Sequence, residues 1–489
     1  MSKGKKRDDK KITPRSEDYS QWYHDIVLRG ELADYAPVKG CMIIRPHGYA
    51  IWELIQKNLD AKFKETGHQN AYFPLFIPES YIEKEKEHFE GFAPECAVVT
   101  EGGGEPLPEK LYVRPTSEMI IWSMYKKWVQ SHRDLPLLIN QWCNVVRWEM
   151  RTRLFLRTCE FLWQEGHTAH ATEEEAREES LKMLEIYRWF AEEVMAVPVF
   201  TGRKTENERF KGAIDTYSIE AMMQDGKALQ AGTSHYLGEN FARAFDVKYQ
   251  DESGQRRYVH ATSWGVSTRL IGTLIMAHSD DQGLVLPPLL APTQIVIVPI
   301  YRKDHEKVPV LEECDAVEAT LKKEKDFRVV VDKREGQSPG FKFNEWELKG
   351  VPLRIEVGPK DLEKGQLCLA RRFGADGKSF VPRQEALESI PGILESMQKD
   401  LYQRAFDFRV SRQREIDVME DFVDFFTNQG GGFALCHWCG DGDCEKALAD
   451  EHKTTIRVIP FESAGYIEDG VCIRCGGPSH TRVVMGLSY

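Results

Sequence analysis

Arginine side chains cluster in two segments that could hold an anionic ligand. Arg147-Trp148-Glu149 is followed by Arg151, Arg153 and Arg157, and Arg269 lies in the first turn of an apolar segment. A guanidinium stays protonated and binds phosphate oxygens bidentately, whereas a cation at a helix N-terminus is unfavourable without a nearby anion. The two segments predict a triphosphate site, and the alternative for the first is a solvated hairpin with cross-strand ion pairs.

Cysteines near the C-terminus have the spacing of a metal site. Cys439-x4-Cys444 and Cys472-x2-Cys475 offer four thiolates, and Cys436, separated from Cys439 by two residues, adds a fifth thiol. Four thiolates bind Zn²⁺ tetrahedrally, and such a closed set is typical of a structural site. The spacing leaves five thiols for four ligand positions.

The elements around the arginines predict an α+β domain. Strands are predicted at residues 137–149 and 159–171, joined by the basic segment, and helices at 46–66, 173–197 and 267–278. Antiparallel strands interrupted by helices are typical of the α+β class.

The domain organisation follows from where this pattern changes. We expect a flexible tail over residues 1–16 and the α+β domain over 17–285. A proline-rich linker opens an α/β domain over 286–395, in which strands alternate with helices. Residues 396–489 then form a small α/β domain that contains the cysteines.

The composition is that of a folded globular chain. The 489 residues are 42% hydrophobic, and 65 basic against 77 acidic residues give a net charge of −12. This is the wrong sign for a surface that wraps nucleic acid throughout, although a local patch could bind RNA. With no secretory signal and no long uninterrupted apolar stretch, we expect reduced thiols, a cytoplasmic location and no membrane contact.

The order of the segments resembles the three motifs of class II aminoacyl-tRNA synthetases. Motif 1, a helix running into a strand with a proline, is matched by residues 67–74. Motif 2, an arginine-x-glutamate hairpin, is matched by Arg147 and Glu149. Motif 3, a glycine-to-arginine stretch that opens a helix, is matched by Gly265 to Arg269.

Longer blocks resemble the prolyl-tRNA synthetases of the archaeal and eukaryotic type. These are Arg114-Pro-Thr-Ser-Glu118, Asn140-Gln-Trp-Cys-Asn144, Glu160-Phe-Leu-Trp-Gln-Glu-Gly-His167 and Leu284-Val-Leu-Pro-Pro288. The resemblance implies ATP-dependent ligation of L-proline to tRNA(Pro) through a prolyl-adenylate, with release of pyrophosphate and AMP. It also implies Mg²⁺ beside the phosphates and a homodimer formed through the motif 1 region.

The resemblance assigns roles to individual residues, of which Arg147 and Arg269 are expected to be catalytic. The residues expected at the proline site are Thr116, Glu118, Arg147, Trp163, Glu165, His167, His235, Ser263 and Gly265. Those expected at the ATP site are Arg147, Glu149, Arg157, Thr158, Phe161, Gln230, Thr233, Ser267 and Arg269, with Phe161 stacking on adenine.

Two further sites are implied outside the first domain. The α/β domain resembles an anticodon-binding module, and the candidate RNA contacts are Lys342, Glu347, Arg354, Lys360 and Arg371. Each of these could instead form a surface ion pair. At the C-terminus the resemblance favours Cys439, Cys444, Cys472 and Cys475 as zinc ligands, leaving Cys436 free.

The segment between motifs 2 and 3 is too short for the large editing insertion of many bacterial prolyl enzymes. Since a small apolar pocket discriminates by only about 1–3 kcal/mol per methylene, we expect some activation of alanine and cysteine. One alternative is threonine or glycine specificity, against which Thr116, Glu118 and Trp163 argue. Another is an inactive RNA-binding paralogue, although such paralogues usually lose the motif arginines.

Overall fold

The computed structural model describes residues 12–82, 96–374 and 377–489. Residues 1–11, which make up most of the predicted tail, lie outside the described residues. None of the helices formed by the described residues combines the length and the apolarity that crossing a membrane requires.

The remainder of the predicted tail packs against the first domain. Ile12 is buried. The backbone and hydroxyl of Thr13 both donate to the Asp25 carboxylate, at 2.9 and 2.7 Å, and Arg15 pairs with Asp281 at 3.0 Å. Residues 12–16 therefore belong with the first domain and not with a flexible tail.

The first part of the chain forms the predicted α+β domain. Its helices are Tyr19–Arg29, Pro46–Glu65, Glu79–Ile82, Glu118–Trp128, Glu173–Trp189, Asn240–Phe245 and Arg269–His278. Its strands are β1 (Ala33–Tyr35), β2 (Met42–Ile44), β3 (Gln69–Asn70), β4 (Phe76–Pro78), β5 (Val98–Gly102), β6 (Glu105–Val113), β7 (Leu137–Val146), β8 (Glu160–His170), β9 (Val199–Arg203), β10 (Asp215–Met222), β11 (Ala228–Gly238), β12 (Lys248–Gln250), β13 (Arg256–Tyr258) and β14 (His260–Ser267). The predicted helices and the β7–β8 hairpin are all present.

The helix that starts at Glu173 shows why these segments become helical. The Thr172 hydroxyl accepts from the Glu175 backbone N–H, and the Glu175 side chain accepts in return from the N-cap backbone. Three glutamates in the first turn also suit the helix dipole. The α-helix ends at Trp189 and continues as a π-helical turn, Phe190–Val194, so it stops before the predicted end at residue 197.

The second domain, on the far side of the proline-rich linker, has the predicted α/β pattern. Its strands are β15 (Ile295–Pro299), β16 (Val329–Val331), β17 (Leu353–Val357), β18 (Gln366–Arg371) and β19 (Lys378–Pro382), and its first three helices are Asp304–Lys325, Pro339–Leu348 and Pro359–Lys364. They form one mixed sheet in the order β16-β15-β17-β18-β19.

The helix Arg383–Ser411 runs from this domain into the next, so the predicted boundary at residue 395 falls inside a helix. The final part of the chain adds β20 (Gln413–Glu415), β21 (Phe433–His437), β22 (Thr455–Pro460), β23 (Ile467–Val471) and β24 (Pro478–Gly486), with helices Met419–Thr427 and Gly442–His452.

One sheet joins the first and last domains. Its order is β20-β21-β24-β22-β9-β10-β11-β14-β8-β7-β3, with β23 beside β24. The two domains meet where β22 pairs antiparallel with β9, with Ile459 opposite Arg203. Beside this junction, the buried Glu220 carboxylate accepts from Lys204 at 2.7 Å and from Arg457 at 2.9 Å. Buried charges that are fully paired in this way hold their partners in one geometry.

The core under this sheet explains a glycine in β8. Gly166 lies directly opposite Trp264 of β14, and the Trp264 ring is buried against Phe63 and Tyr187. A Cβ atom added at Gly166 would lie 2.1 Å from the Trp264 ring. Only glycine at position 166 therefore leaves room for the Trp264 ring to pack against β8.

We predict that Gly166→Ala destabilises the first domain by about 1–3 kcal/mol, because the added methyl overpacks the core. The matched control is Gly392→Ala in the helix Arg383–Ser411, where a Cβ meets nothing within 4 Å and alanine favours the helix. Thermal unfolding of both variants checks this. Equal unfolding midpoints for Gly166→Ala and Gly392→Ala would contradict the prediction.

Candidate active site and metal centre

Strands β8, β11 and β14 bring the predicted site residues together on one face of the sheet. The cross-strand pairs are His167 with Ser263, Glu165 with Gly265, Trp163 with Ser267, His235 with Ser263 and Thr233 with Gly265. Alternate residues of a strand share a face, so this register places all of these positions on the same side. The structure thus assembles residues that are about one hundred positions apart in sequence, as β-pairing allows.

A cavity of about 280 Å³ lies over this face. Every residue predicted for the proline site lines it: Thr116, Glu118, Arg147, Trp163, Glu165, His167, His235, Ser263 and Gly265. Most of the predicted ATP site also lines it: Phe161, Gln230, Thr233, Ser267 and Arg269, together with Arg147.

Glu165 is the hydrogen-bonding centre at one end of the cavity. Its carboxylate accepts from the backbone N–H of Ser117 at 3.1 Å, from the hydroxyl of the same serine, and from Gln141 at 2.9 Å. His167 lies 3.0 Å away through Nε2. Burial opposes ionisation of Glu165, but the hydrogen bond and charge of His167 outweigh it and lower the pKa of Glu165 to about 2.

The same contacts raise the pKa of His167. Burial alone would lower the pKa of His167, but the hydrogen bond to Glu165 and the negative charges of Glu118 and Glu165 raise it. Thr116 donates to both Glu118 and Glu165. This end of the cavity is therefore acidic and suits a cationic group.

Three residues of the cavity lining have a buried polar atom with no hydrogen-bond partner among the described residues. These atoms are Nδ1 of His167, the hydroxyl of Ser263 and Nε1 of Trp264. Buried polar groups in native proteins are almost always hydrogen-bonded. Their presence here, beside the acidic cluster, indicates that a ligand supplies the missing partners.

Arginines occupy the other end of the cavity. Arg147 lies over the rings of Phe161 and Trp163, at 5.6 and 5.3 Å, and donates to the backbone oxygen of Pro115 at 3.0 Å. Arg269 is buried, and its pKa is lowered first by burial and then by the positive charges of Arg147 and Arg157. This end of the cavity is therefore positively charged and suits an anionic group.

Three residues predicted for the ATP site, Glu149, Arg157 and Thr158, do not line the cavity. Glu149 and Arg157 form an ion pair across the hairpin at 2.8 Å. This is the kind of contact expected if the hairpin is held by cross-strand ion pairs. The Thr158 hydroxyl donates to the backbone oxygen of Glu160 and is buried. Arg157 is nevertheless close enough to affect Arg269.

The connection between β9 and β10 supplies lining residues that the sequence did not predict. Glu208 and Phe210 of this loop and Thr216 at the start of β10 line the cavity. The Phe210 ring lies 4.6 Å from the ring of His235, and the Thr216 hydroxyl is 2.9 Å from Nδ1 of the same histidine. No motif in the loop signals this position, because its location depends on the pairing of β10 with β11.

Comparisons with known proteins agree with this geometry. Residues 100–278 match the tRNA synthetase class II core domain (G, H, P, S and T), residues 294–392 match the anticodon binding domain, and residues 419–489 match the prolyl-tRNA synthetase C-terminal domain. The chain is 60% identical over 485 residues to the proline–tRNA ligase of Chlorobium limicola, covering 98% of this chain and 99% of the relative. The chain belongs to the prolyl-tRNA synthetase family. The proline–tRNA ligases of Chlorobium luteolum and Chlorobaculum tepidum are 61% and 58% identical, over the same shares of both chains.

Within the anticodon-binding domain of this synthetase, the predicted RNA contacts differ in exposure. Lys342 is buried and donates to the backbone oxygen of Asp332 at 2.8 Å, so its placement does not support contact with RNA. Glu347 and Arg354 pair with each other at 2.9 Å. Lys360 is exposed and Arg371 is partly exposed.

The four cysteines that the resemblance favoured come together in this synthetase. The sulfur atoms of Cys439, Cys444, Cys472 and Cys475 all lie within 4.8 Å of one another, and those of Cys439 and Cys475 are 3.7 Å apart. Tetrahedral zinc with Zn–S bonds of about 2.3 Å spaces its sulfurs by about 3.8 Å, so the residues fit the ion. Cys436 is fully buried in the hydrophobic core of the domain instead.

Tyr489 docks beside the motif 2 hairpin of the synthetase. Its hydroxyl donates to Asp225 at 2.6 Å. The guanidinium of Arg153, at the hairpin tip, lies between the rings of Tyr23 and Tyr489, at 4.5 and 5.5 Å. The last domain thus contacts the hairpin as well as the edge of the sheet.

We predict that Glu165→Gln lowers the pKa of His167. Glutamine keeps the side chain's size but not its charge, so the burial of the imidazole is opposed by less negative charge. Histidine-selective NMR titration measures the change, with His167→Asn to assign the signal. His278, which is buried far from Glu165 against the backbone oxygen of Met195, is the internal control. An unchanged His167 pKa would show that Glu165 is not its main partner.

Proposed function

We propose that this synthetase ligates L-proline to tRNA(Pro) with ATP, through a prolyl-adenylate. The observation that carries the proposal is one cavity with an acidic end and an arginine-lined end. A zwitterionic amino acid and a triphosphate together match these two ends. The relatives at 58–61% identity, each a proline–tRNA ligase, give the substrate.

At the acidic end, we assign the substrate's secondary ammonium to Glu118, Glu165 and Thr116, which offer hydrogen-bond acceptors. The Trp163 ring offers a flat apolar wall for the pyrrolidine ring, and Phe210 faces the same cavity. His167, His235, Ser263 and Gly265 complete this end. A threonine substrate would need a dedicated partner for its hydroxyl.

At the other end, we assign the triphosphate to Arg147 and Arg269, which both line the cavity. Gln230, Thr233 and Ser267 line the nucleotide side, and Phe161 offers a face for adenine. Arg147 lies over both Phe161 and Trp163. We therefore assign Arg147 to the α-phosphate and the substrate carboxylate together.

The chemistry needs no strong base. The ionised carboxylate of proline attacks the α-phosphorus of ATP, the bond to the bridging oxygen breaks, and pyrophosphate leaves with that electron pair. The tRNA hydroxyl then attacks the adenylate carbonyl, its proton passes to a phosphate oxygen, and AMP leaves with the electron pair of the broken bond. The arginines neutralise charge that builds up on phosphate oxygens, and the fixed cavity aligns the reacting atoms.

Magnesium, when bound, would neutralise charge on the phosphates. We propose Glu149, whose present partner is Arg157, as a carboxylate ligand. Exchange of that ion pair for phosphate and metal would free both residues for the roles that the resemblance implies.

The other domains fit tRNA binding and structural support. We propose that residues 286–395 bind the anticodon through Glu347, Arg354, Lys360 and Arg371. We propose that residues 396–489 hold zinc through the four clustered cysteines. The domain of residues 17–285 would carry the chemistry. The zinc would stabilise the fold, because four thiolates leave no open position.

A homodimer through the motif 1 region and an absence of in-chain editing complete the proposal. Tyr72 in motif 1 exposes 74% of its surface in the single chain, as an interface aromatic would. Residues 171–259, between the motif 2 and motif 3 strands, form two α-helices, a π-helical turn and the strands β9–β13 of the same domain. We retain the archaeal and eukaryotic subtype as part of this proposal.

We predict that ATP–pyrophosphate exchange depends on proline and falls about 10²–10³-fold in Arg147→Ala, the cost of losing one preorganised donor. Alanine and cysteine should support slow exchange, and threonine and glycine none. The exposed Arg256, on β13 away from the cavity, gives the control variant Arg256→Ala. Exchange with threonine or glycine would overturn the pocket assignment, and no exchange would favour an inactive paralogue.

We predict that the protein as isolated contains one zinc ion per chain and that Cys475→Ser loses it. Cys475 is exposed, so its replacement disturbs little besides the thiolate set. Cys436→Ala is the matched control and should keep its zinc. Elemental analysis of the purified variants checks this, and loss of zinc from Cys436→Ala would show that the ligand set is wrong.

A further inference from the structure

The loop between β9 and β10, residues 204–214, forms one wall of the candidate active site. Its residues Glu208 and Phe210 line the cavity at the end assigned to proline. Phe210 donates its backbone N–H to the Thr216 hydroxyl at 3.1 Å. A loop of this length has no secondary structure to hold it, so its position depends on contacts with neighbouring elements.

The last domain provides several of those contacts. Glu445 is buried, with 4% of its surface exposed. One oxygen of its carboxylate accepts from the Thr205 hydroxyl at 2.6 Å, and the other accepts from the Asn207 amide at 2.9 Å. The Asn207 amide also donates to the backbone oxygen of Gly442 at 2.9 Å.

These hydrogen bonds continue to the cavity wall. The Thr205 hydroxyl, which donates to Glu445, accepts from the backbone N–H of Glu208 at 3.3 Å. A single threonine therefore stands between Glu445 and a residue that lines the cavity. Before Thr205, Lys204 anchors the loop through Glu220 and through the backbone oxygen of Arg457 at 2.6 Å.

Glu445 is itself held in place by its helix. It lies in the first turn of Gly442–His452, where the Asp441 side chain caps the helix and a carboxylate suits the dipole. Its neighbour Cys444 belongs to the four-cysteine cluster. The carboxylate thus projects from a fixed point of one domain onto a loop of another.

We infer that Glu445 is a positioning residue for the amino-acid end of the active site. It holds Thr205 and Asn207 so that Glu208 and Phe210 close the cavity around the small ring of the substrate. The inference rests on the proposed function, because it assigns this end of the cavity to proline. It gives the C-terminal domain an indirect part in amino-acid binding, through hydrogen bonds to the loop and apart from the cysteine cluster.

The test compares Glu445→Ala, Glu445→Gln and Glu451→Ala in the full-length protein. Glu451 lies on the same helix, in an ion pair with Arg474 at 2.7 Å on the surface, and is the matched control. The glutamine side-chain oxygen can still accept from the Thr205 hydroxyl. Its NH₂ group can donate to the Asn207 side-chain oxygen once the Asn207 amide rotates by about half a turn. Asn207→Ala removes one of the two bonds from the side of the loop.

Glu445→Ala should raise the KM for proline about ten- to a hundredfold, the effect of a small misplacement at a binding site, with the KM for ATP unchanged. Asn207→Ala should show a smaller effect of the same kind, and the double variant should be less than additive. Glu445→Gln should restore most of the loss, and Glu451→Ala should match the unchanged protein.

Hydrogen exchange gives a readout that does not need activity. In Glu445→Ala, peptides covering residues 204–214 should exchange faster without substrate, while zinc content stays the same. Equal rises in both KM values, or unchanged exchange in the loop, would overturn the inference. If the unchanged protein showed no proline-dependent activity but the loop still responded, the proposed function would fail while the contact itself stood.

Discussion

The cross-strand register of β8, β11 and β14 is the constraint on which the site depends. Side chains alternate between the two faces of a strand, so a slip of one residue would move the whole set to the opposite face. Gly166 contributes to fixing the register, because only that position leaves room for the Trp264 ring. The tryptophan beneath the sheet and the polar cluster above it are therefore two results of one pairing.

On the upper face, charges of opposite sign are kept apart within one cavity. Glu118, Glu165 and His167 form a hydrogen-bonded acidic group, while Arg147 and Arg269 carry positive charge at the other end. Buried charges require partners. Under the proposed function, an amino acid and a nucleotide bound side by side would add to the partners that the protein supplies, with the reacting groups at the boundary between the two regions.

Much of this could be predicted from the sequence, for reasons that differ between elements. Helices such as Pro46–Glu65 are local, and their periodicity and capping residues indicate them directly. The prediction of the proline-site residues comes from motif blocks, since nothing in the composition brings Thr116 close to Glu165. The prediction of the zinc ligands comes from the resemblance, and in the structure those four cysteines cluster while Cys436 packs in the hydrophobic core.

The features that the sequence did not predict depend on contacts between different segments of the chain. The burial of Lys342 depends on Asp332, which lies on a different element, and the lining role of Phe210 depends on the pairing of β10. The contact between Glu445 and Thr205 joins positions 240 residues apart. Such contacts arise only when the domains pack together, and local sequence patterns do not record them.

The pairing of β9 with β22 has a consequence for the order in which the molecule is made. Domains fold as they emerge during synthesis, N-terminal parts first, and β9 would then stand at an open sheet edge until Ile459 and Pro460 appear. An exposed edge is a template for pairing with other chains. The nascent first domain is therefore exposed to aggregation over the time that the ribosome needs to complete β22, and its protection arrives from its own C-terminal domain.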